Sequence, residues 1–391
     1  MNAQSPPLLK RALRILSWLA GILLVLLLAG AFAADRWARG KYEPALSQLR
    51  RETTANVGFF CEQQSLIAAD PWFHEQRPQG DAGGYLNPLV RWETVHQEVP
   101  RGSPLVIPAH LPRDSKQITG WGESTVDVST LDFGWMEKLH AYDRWDIVRN
   151  APFAPKETID WSVAPVPDLI VLHTWAKLRL VQGLKTGQPL AAARDVRQLA
   201  WLMLRTDTYL GASVATALLR MERAAYESMP RPPAAWRPMS TEQIDRMLAL
   251  VATSIVFSNL AAPADVARQA RRCGEPVTRC AALSESAFLA KYISPLARSS
   301  YREAYAALEE ELAASPCPTS LVQTLWDKGL TIDQPTSGQG MPNQPELMRK
   351  LPRGLFGHHI AGMTLAISPS NLDKLHAFRK SLGAARAQDN R

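Results

Sequence analysis

Four cysteines in 391 residues are too few for a disulfide-dense mini-scaffold or for tandem zinc modules. Long hydrophobic runs are just as scarce. Only one stretch is uncharged for long enough to cross a bilayer, which excludes a multi-span membrane protein. Catalytic and cofactor signatures are missing as well. There is no H-E-x-x-H, and no Walker A or dinucleotide loop, since Gly120-Trp121-Gly122-Glu123-Ser124 fits neither pattern. Gly211-Ala212-Ser213-Val214-Ala215 lacks the last glycine of a nucleophile elbow. What remains is a composition of 46% hydrophobic and 21% charged residues, that of a folded, core-forming chain.

The net charge of +7 is unevenly placed. Residues 1–51 hold eight basic and two acidic side chains, and the other 340 residues are close to neutral. Lys10, Arg11, Arg14, Arg36, Arg39 and Lys41 flank an apolar segment, where cations meet anionic head groups. The neutral body lacks the basic footprint of a nucleic-acid-binding protein, and none is expected as a partner.

Ile15 to Ala34 is that segment: 20 uncharged residues with Trp18 and Trp37 near its ends. As a helix it spans roughly 30 Å, the thickness of the hydrocarbon layer. The favoured reading is a transmembrane anchor over 15–34 with residues 1–14 in the cytoplasm. The competing reading is a signal peptide cleaved after Ala33, because Ala31-Phe32-Ala33 satisfies the A-x-A pattern. Both place the body outside the cytoplasm, tethered to the inner membrane or released as a secreted or periplasmic protein. In that compartment cysteines pair. The six-residue spacing of Cys273 and Cys280 suits a small disulfide loop, leaving Cys61 to Cys317.

The chain divides by composition. Residues 35–57 read as a juxtamembrane helix continuing the anchor. Residues 58–167 form an irregular Pro/Trp-rich segment packed on the body: between Pro71 and Pro167 lie eleven prolines, seven glycines and six of the twelve tryptophans. A helix fits only over 130–149 there, with weak strands at Leu89–Val95 and Ser124–Val128. Residues 168–391 form a helical domain. Helices are expected over Asp168–Thr186, Pro189–Arg205 and Thr208–Met229, then after Ser240, which has Gln243 placed for a capping box. Others follow near 263–272, 279–313 and 318–328, then a loop over 331–345 and a last helix from Ser370. The fold class is mainly α, a bundle of antiparallel αα-hairpins behind one membrane helix. The pair 168–186 and 189–205 superficially resembles a tetratricopeptide hairpin, with an aromatic-containing first helix, a Gly turn and an Ala-rich second helix. No second copy recurs at a fixed period, so the resemblance implies an αα-hairpin and no repeat array.

Candidate chemistry is sparse. On a helix His140 and Asp143 share a face, so the carboxylate could orient the imidazole as a base, with Asp132 and Asp146 nearby. The same stretch, Trp135, Tyr142 and Trp145, reads as an aromatic helix docked on the body. His173 lies on an otherwise apolar helix and reads as a core or groove histidine. His358-His359 is the one histidine cluster, but adjacent residues diverge too far to grip one ion. No metal or cofactor is expected. The leading expectation is a tethered extracytoplasmic protein that binds other envelope proteins, as a scaffold in assembly or secretion. Two alternatives stand beside it: a small-ligand or lipid-binding domain with Trp121, Trp135, Trp145 and Trp161 around a cavity, and a hydrolase using His140, Asp143 and His173.

Overall fold

The computed structural model describes residues 7–91, 102–147, 158–160, 167–259, 261–274, 279–283, 286, 302–314, 317, 331–333 and 373–380. The protein is mainly helical and carries one N-terminal helix long and apolar enough to cross a membrane. Outside the described residues lie the expected helix at 318–328, His96, Trp161, the pair His358-His359 and residues 334–345 of the expected loop.

The first helix, α1 (Pro7–Ala68), runs 62 residues through Pro44 without a break. The juxtamembrane helix expected to end at residue 57 continues to Ala68. Its two halves have opposite environments. Ile15, Trp18, Leu19 and Leu23 to Leu28 are exposed, whereas Leu46, Leu49, Val57, Phe60 and Ile67 are buried in the body. The buried positions recur at helical spacing and put one stripe against the core. Phe60 meets Phe257 with ring centroids 4.6 Å apart.

The body's helices start where local chemistry tells them to. In α4 (Leu169–Lys185) the Asp168 carboxylate caps the N–H groups of Ile170 and Val171. Pro189 occupies the first turn of α5 (Pro189–Leu204), and the Thr208 hydroxyl caps α6 (Tyr209–Glu227). The expected capping box is present: Ser240 and Gln243 satisfy each other at the start of α7 (Thr241–Phe257). Then come α8 (Ala264–Cys273) and α9 (Arg302–Ala314). Helices α4, α5 and α6 pack on one another, α7 lies on α6 and α1, and α8 lies on α1. A Cβ on Gly183 would sit 2.4 Å from the Ala192 side chain, so only glycine permits this approach of α4 to α5.

The segment before α4 departs from expectation. Helix over 130–149 shrinks to α3 (Gly134–Glu137) and one 3₁₀ turn (Lys138–Ala141), preceded in the chain by α2 (Gly83–Leu86). Backbone pairing with residues 80–82 competes with the helix: the N–H groups of Asp143 and Arg144 donate to the Gly80 carbonyl, and Ala82 N–H donates to Arg144. Strand at Ser124–Val128 does not form either. The Val126 carbonyl accepts from Lys185 Nζ at 2.6 Å, and Ser124 closes a turn on Trp121. At Leu89–Val95 the described residues 89–91 make a turn, and 92–95 lie outside them. Strand pairing occurs where the sequence did not suggest it. β1 (Thr158–Asp160) runs parallel to β2 (Thr331–Asp333), the first residues of the expected loop. Trp135 and Trp145 are buried in the core, Trp145 with its indole N–H donating to Asn87 Oδ1.

The cysteine pairing is the reverse of the expected one. Cys61 bonds Cys273, and Cys280 bonds Cys317. Packing of α8 along α1 brings the last residue of α8 to 5.3 Å, Cα to Cα, from Cys61. That proximity overrides the short spacing of Cys273 and Cys280.

Candidate functional site

The three residues singled out as a site each have a separate hydrogen-bond partner. Asp143 does not orient His140, because the helix that would have aligned them ends at Ala141. Its carboxylate accepts from the Gly80 N–H at 2.9 Å instead. His173, on α4, shares a 2.8 Å hydrogen bond with the Ser115 hydroxyl, and burial pushes its imidazole below the usual value. One turn further along α4, the Lys177 ammonium lies 3.1 Å from the centroid of Trp121. Burial brings this ammonium down to about 8.

His140 has a different partner. Its Nε2–H donates to Oδ1 of Asp195 at 2.8 Å, across 55 residues of chain. Asp195 is buried on α5, and its Oδ2 accepts from Arg179 of α4 through Nε and Nη2 at 2.8 and 2.7 Å. The carboxylate is thus held from both sides, and the imidazole, 44% exposed, is fixed in orientation.

His140 lies on the rim of a cleft of about 320 Å³ between α5, the turn after α1 and the α6–α7 connection. Four arginines line it: Arg77, Arg194, Arg197 and Arg237. Two are already engaged. Arg197 forks onto the buried Glu222 carboxylate through Nε at 3.1 Å and Nη2 at 2.6 Å, and Trp236 Nε1–H donates to the same carboxylate at 2.8 Å. Arg77 donates to Glu75 and to the Trp72 carbonyl while its guanidinium stacks 3.7 Å from the Trp201 ring centroid. Burial pulls Arg77 below the usual guanidinium value, with Glu75 opposing. Arg194 and Arg237 are exposed, and their side chains make no ion pair or hydrogen bond among the described residues.

The cleft is therefore cationic, because two of its four arginines are uncompensated. Its lining contains no serine, threonine, cysteine, lysine or tyrosine. His140 has a held carboxylate behind it, and no hydroxyl, thiol or ammonium side chain among the described lining residues. Trp121, Trp135 and Trp145 do not line the cleft. Among the described residues no group of three or more His, Cys, Asp or Glu side chains could hold a metal ion. Sequence reading missed Asp195, Arg179 and the four arginines. The available signal was ionisable Arg194, Asp195 and Arg197 inside an α5 otherwise rich in alanine and leucine.

No family model, curated protein or solved structure matches this chain.

Proposed function

We propose that this chain is a single-pass, membrane-tethered protein whose folded body lies outside the cytoplasm and acts by binding other proteins. The observation that carries the reading is α1. One unbroken helix has an exposed apolar half of membrane length and a second half built into the core. Lys10, Arg11 and Arg14 before the apolar half favour a cytoplasmic N-terminus. Two disulfides in the body suit an oxidising compartment.

Within the body we read α4 to α8 as antiparallel αα-hairpins, with the Pro/Trp-rich segment as an irregular cap over them. Such a surface offers grooves to partner segments. The cleft favours anion binding because Arg194 and Arg237 on its walls are exposed and make no ion pair among the described residues.

The test joins topology to partner capture. Cells carrying the full chain are treated with an impermeant thiol reagent, using a single cysteine introduced at Ser5 or at exposed Arg231. In-cell cross-linking and mass spectrometry follow. Labelling at position 231 alone, an intact mass that retains residues 1–33, and a reproducible set of envelope proteins are expected. Labelling at position 5, or recovery of the protein alone, overturns the reading.

A further inference from the structure

The cleft of about 320 Å³ gathers four arginines in one concavity. Elsewhere in the body Arg220 pairs with Asp245, and the partly buried Arg223 and Arg246 pair with Glu227 and Glu242. In the cleft, Glu75 and Glu222 are spent on Arg77 and Arg197, and Asp195 on Arg179 and His140. Arg194, on α5, and Arg237, on the connection from α6 to α7, are left as forked donors without acceptors among the described residues, on opposite elements of one concavity. A guanidinium fork matches a carboxylate or a phosphate in two parallel hydrogen bonds. The engaged arginines stiffen the walls, since Arg197 also donates to the Arg237 carbonyl at 2.8 Å and so holds that backbone in place.

We propose that this cleft is the docking site for an acidic peptide segment of a partner protein, with Arg194 and Arg237 each receiving a carboxylate. The proposal rests on the reading of the body as a protein-binding module and names the chemistry of its partner. Two observations favour a peptide. The cleft opens beside Trp72 and Arg77, just past the end of α1 at Ala68, so about 50 Å of helix separates it from Ala34 at the end of the apolar half. Head groups of the anchoring membrane lie at the other end of the molecule. The two free forks also stand on separate elements, which suits successive carboxylates along a chain better than one compact anion.

The test uses the full chain purified in non-ionic detergent and fluorescein-labelled tetraglutamate, with tetraglutamine as the neutral control, read by fluorescence anisotropy. Saturable binding of tetraglutamate that weakens with added salt is expected, with little binding of tetraglutamine. The double variant Arg194→Gln/Arg237→Gln should weaken binding by at least about tenfold. Both side chains are exposed and unpaired, so the fold is retained, which an unchanged thermal midpoint checks. Arg51→Gln, exposed on α1, should bind like the parent. Equal affinity in the double variant, or equal binding of tetraglutamine, overturns the proposal. Displacement of the peptide by equimolar inorganic phosphate also overturns it, in favour of a phosphate site. Because binding is read on purified protein, a wrong topology does not affect it. If cells yield partners that the double variant still captures, the cleft assignment fails while the proposed function stands.

Discussion

Asp207 joins α5 to α6 with φ at 56°, in the left-handed region that aspartate and asparagine tolerate better than most residues. It is buried there, and burial pushes its carboxyl up to about 7, against Arg205 and Arg144 and reinforced by Asp146. An unfolded aspartate titrates near 4, so between roughly pH 4 and 7 the folded protein keeps a proton that the unfolded chain has lost. Stability therefore falls as pH rises through that window, by up to about 1.4 kcal/mol per unit. Asp207→Asn keeps a residue suited to the backbone and removes the titration. Its denaturation midpoint should exceed the parent's at about pH 8 and equal it near pH 4. Identical midpoints at both values would refute this. The capping box of Ser240 and Gln243 was legible in the sequence because a cap bonds within its own first turn. The pairing of His140 with Asp195 was not, because it crosses 55 residues and depends on where α5 packs.

At the scale of elements, the same division between local and distant holds. Helices α4, α5, α6 and α8 begin and end within a residue or two of where the sequence places them, and α7 begins where Ser240 caps it. The 130–149 helix fails because Gly80 and Ala82, distant in sequence, claim its backbone. The cysteine pairing fails for the same reason: only the packing of α8 along α1 makes Cys61 the neighbour of Cys273. A non-reducing peptide map should contain a cross-link between Cys61 and Cys273, and one between Cys273 and Cys280 would contradict the structure. Replacing Cys61 and Cys273 together by serine should cost about 3–5 kcal/mol, since the bond closes a loop of 212 residues. Urea denaturation of the full chain in detergent measures it.

The whole molecule has one feature that composition revealed directly, the basic flanks around an apolar run, and one that it did not, the continuity of that run with the core. Residues 15–34 contribute nothing to the buried core, whose first member among the described residues is Leu46. The bonds of Glu43 to Ser47 and Arg50 also lie beyond the apolar half. A chain beginning at residue 41 should therefore be water-soluble without detergent and unfold within a few degrees of the parent, by differential scanning calorimetry. A truncated chain that aggregates or melts much lower would mean that the apolar half supports the body. Continuity also has a mechanical side. A pull between the bilayer and a partner held at the arginines must travel along α1, and at Cys61 it meets a covalent bridge into α8. Load is thereby shared with the body before it reaches the end of the helix, so oxidised protein should resist peeling of α1 from the core at forces that strip it when reduced.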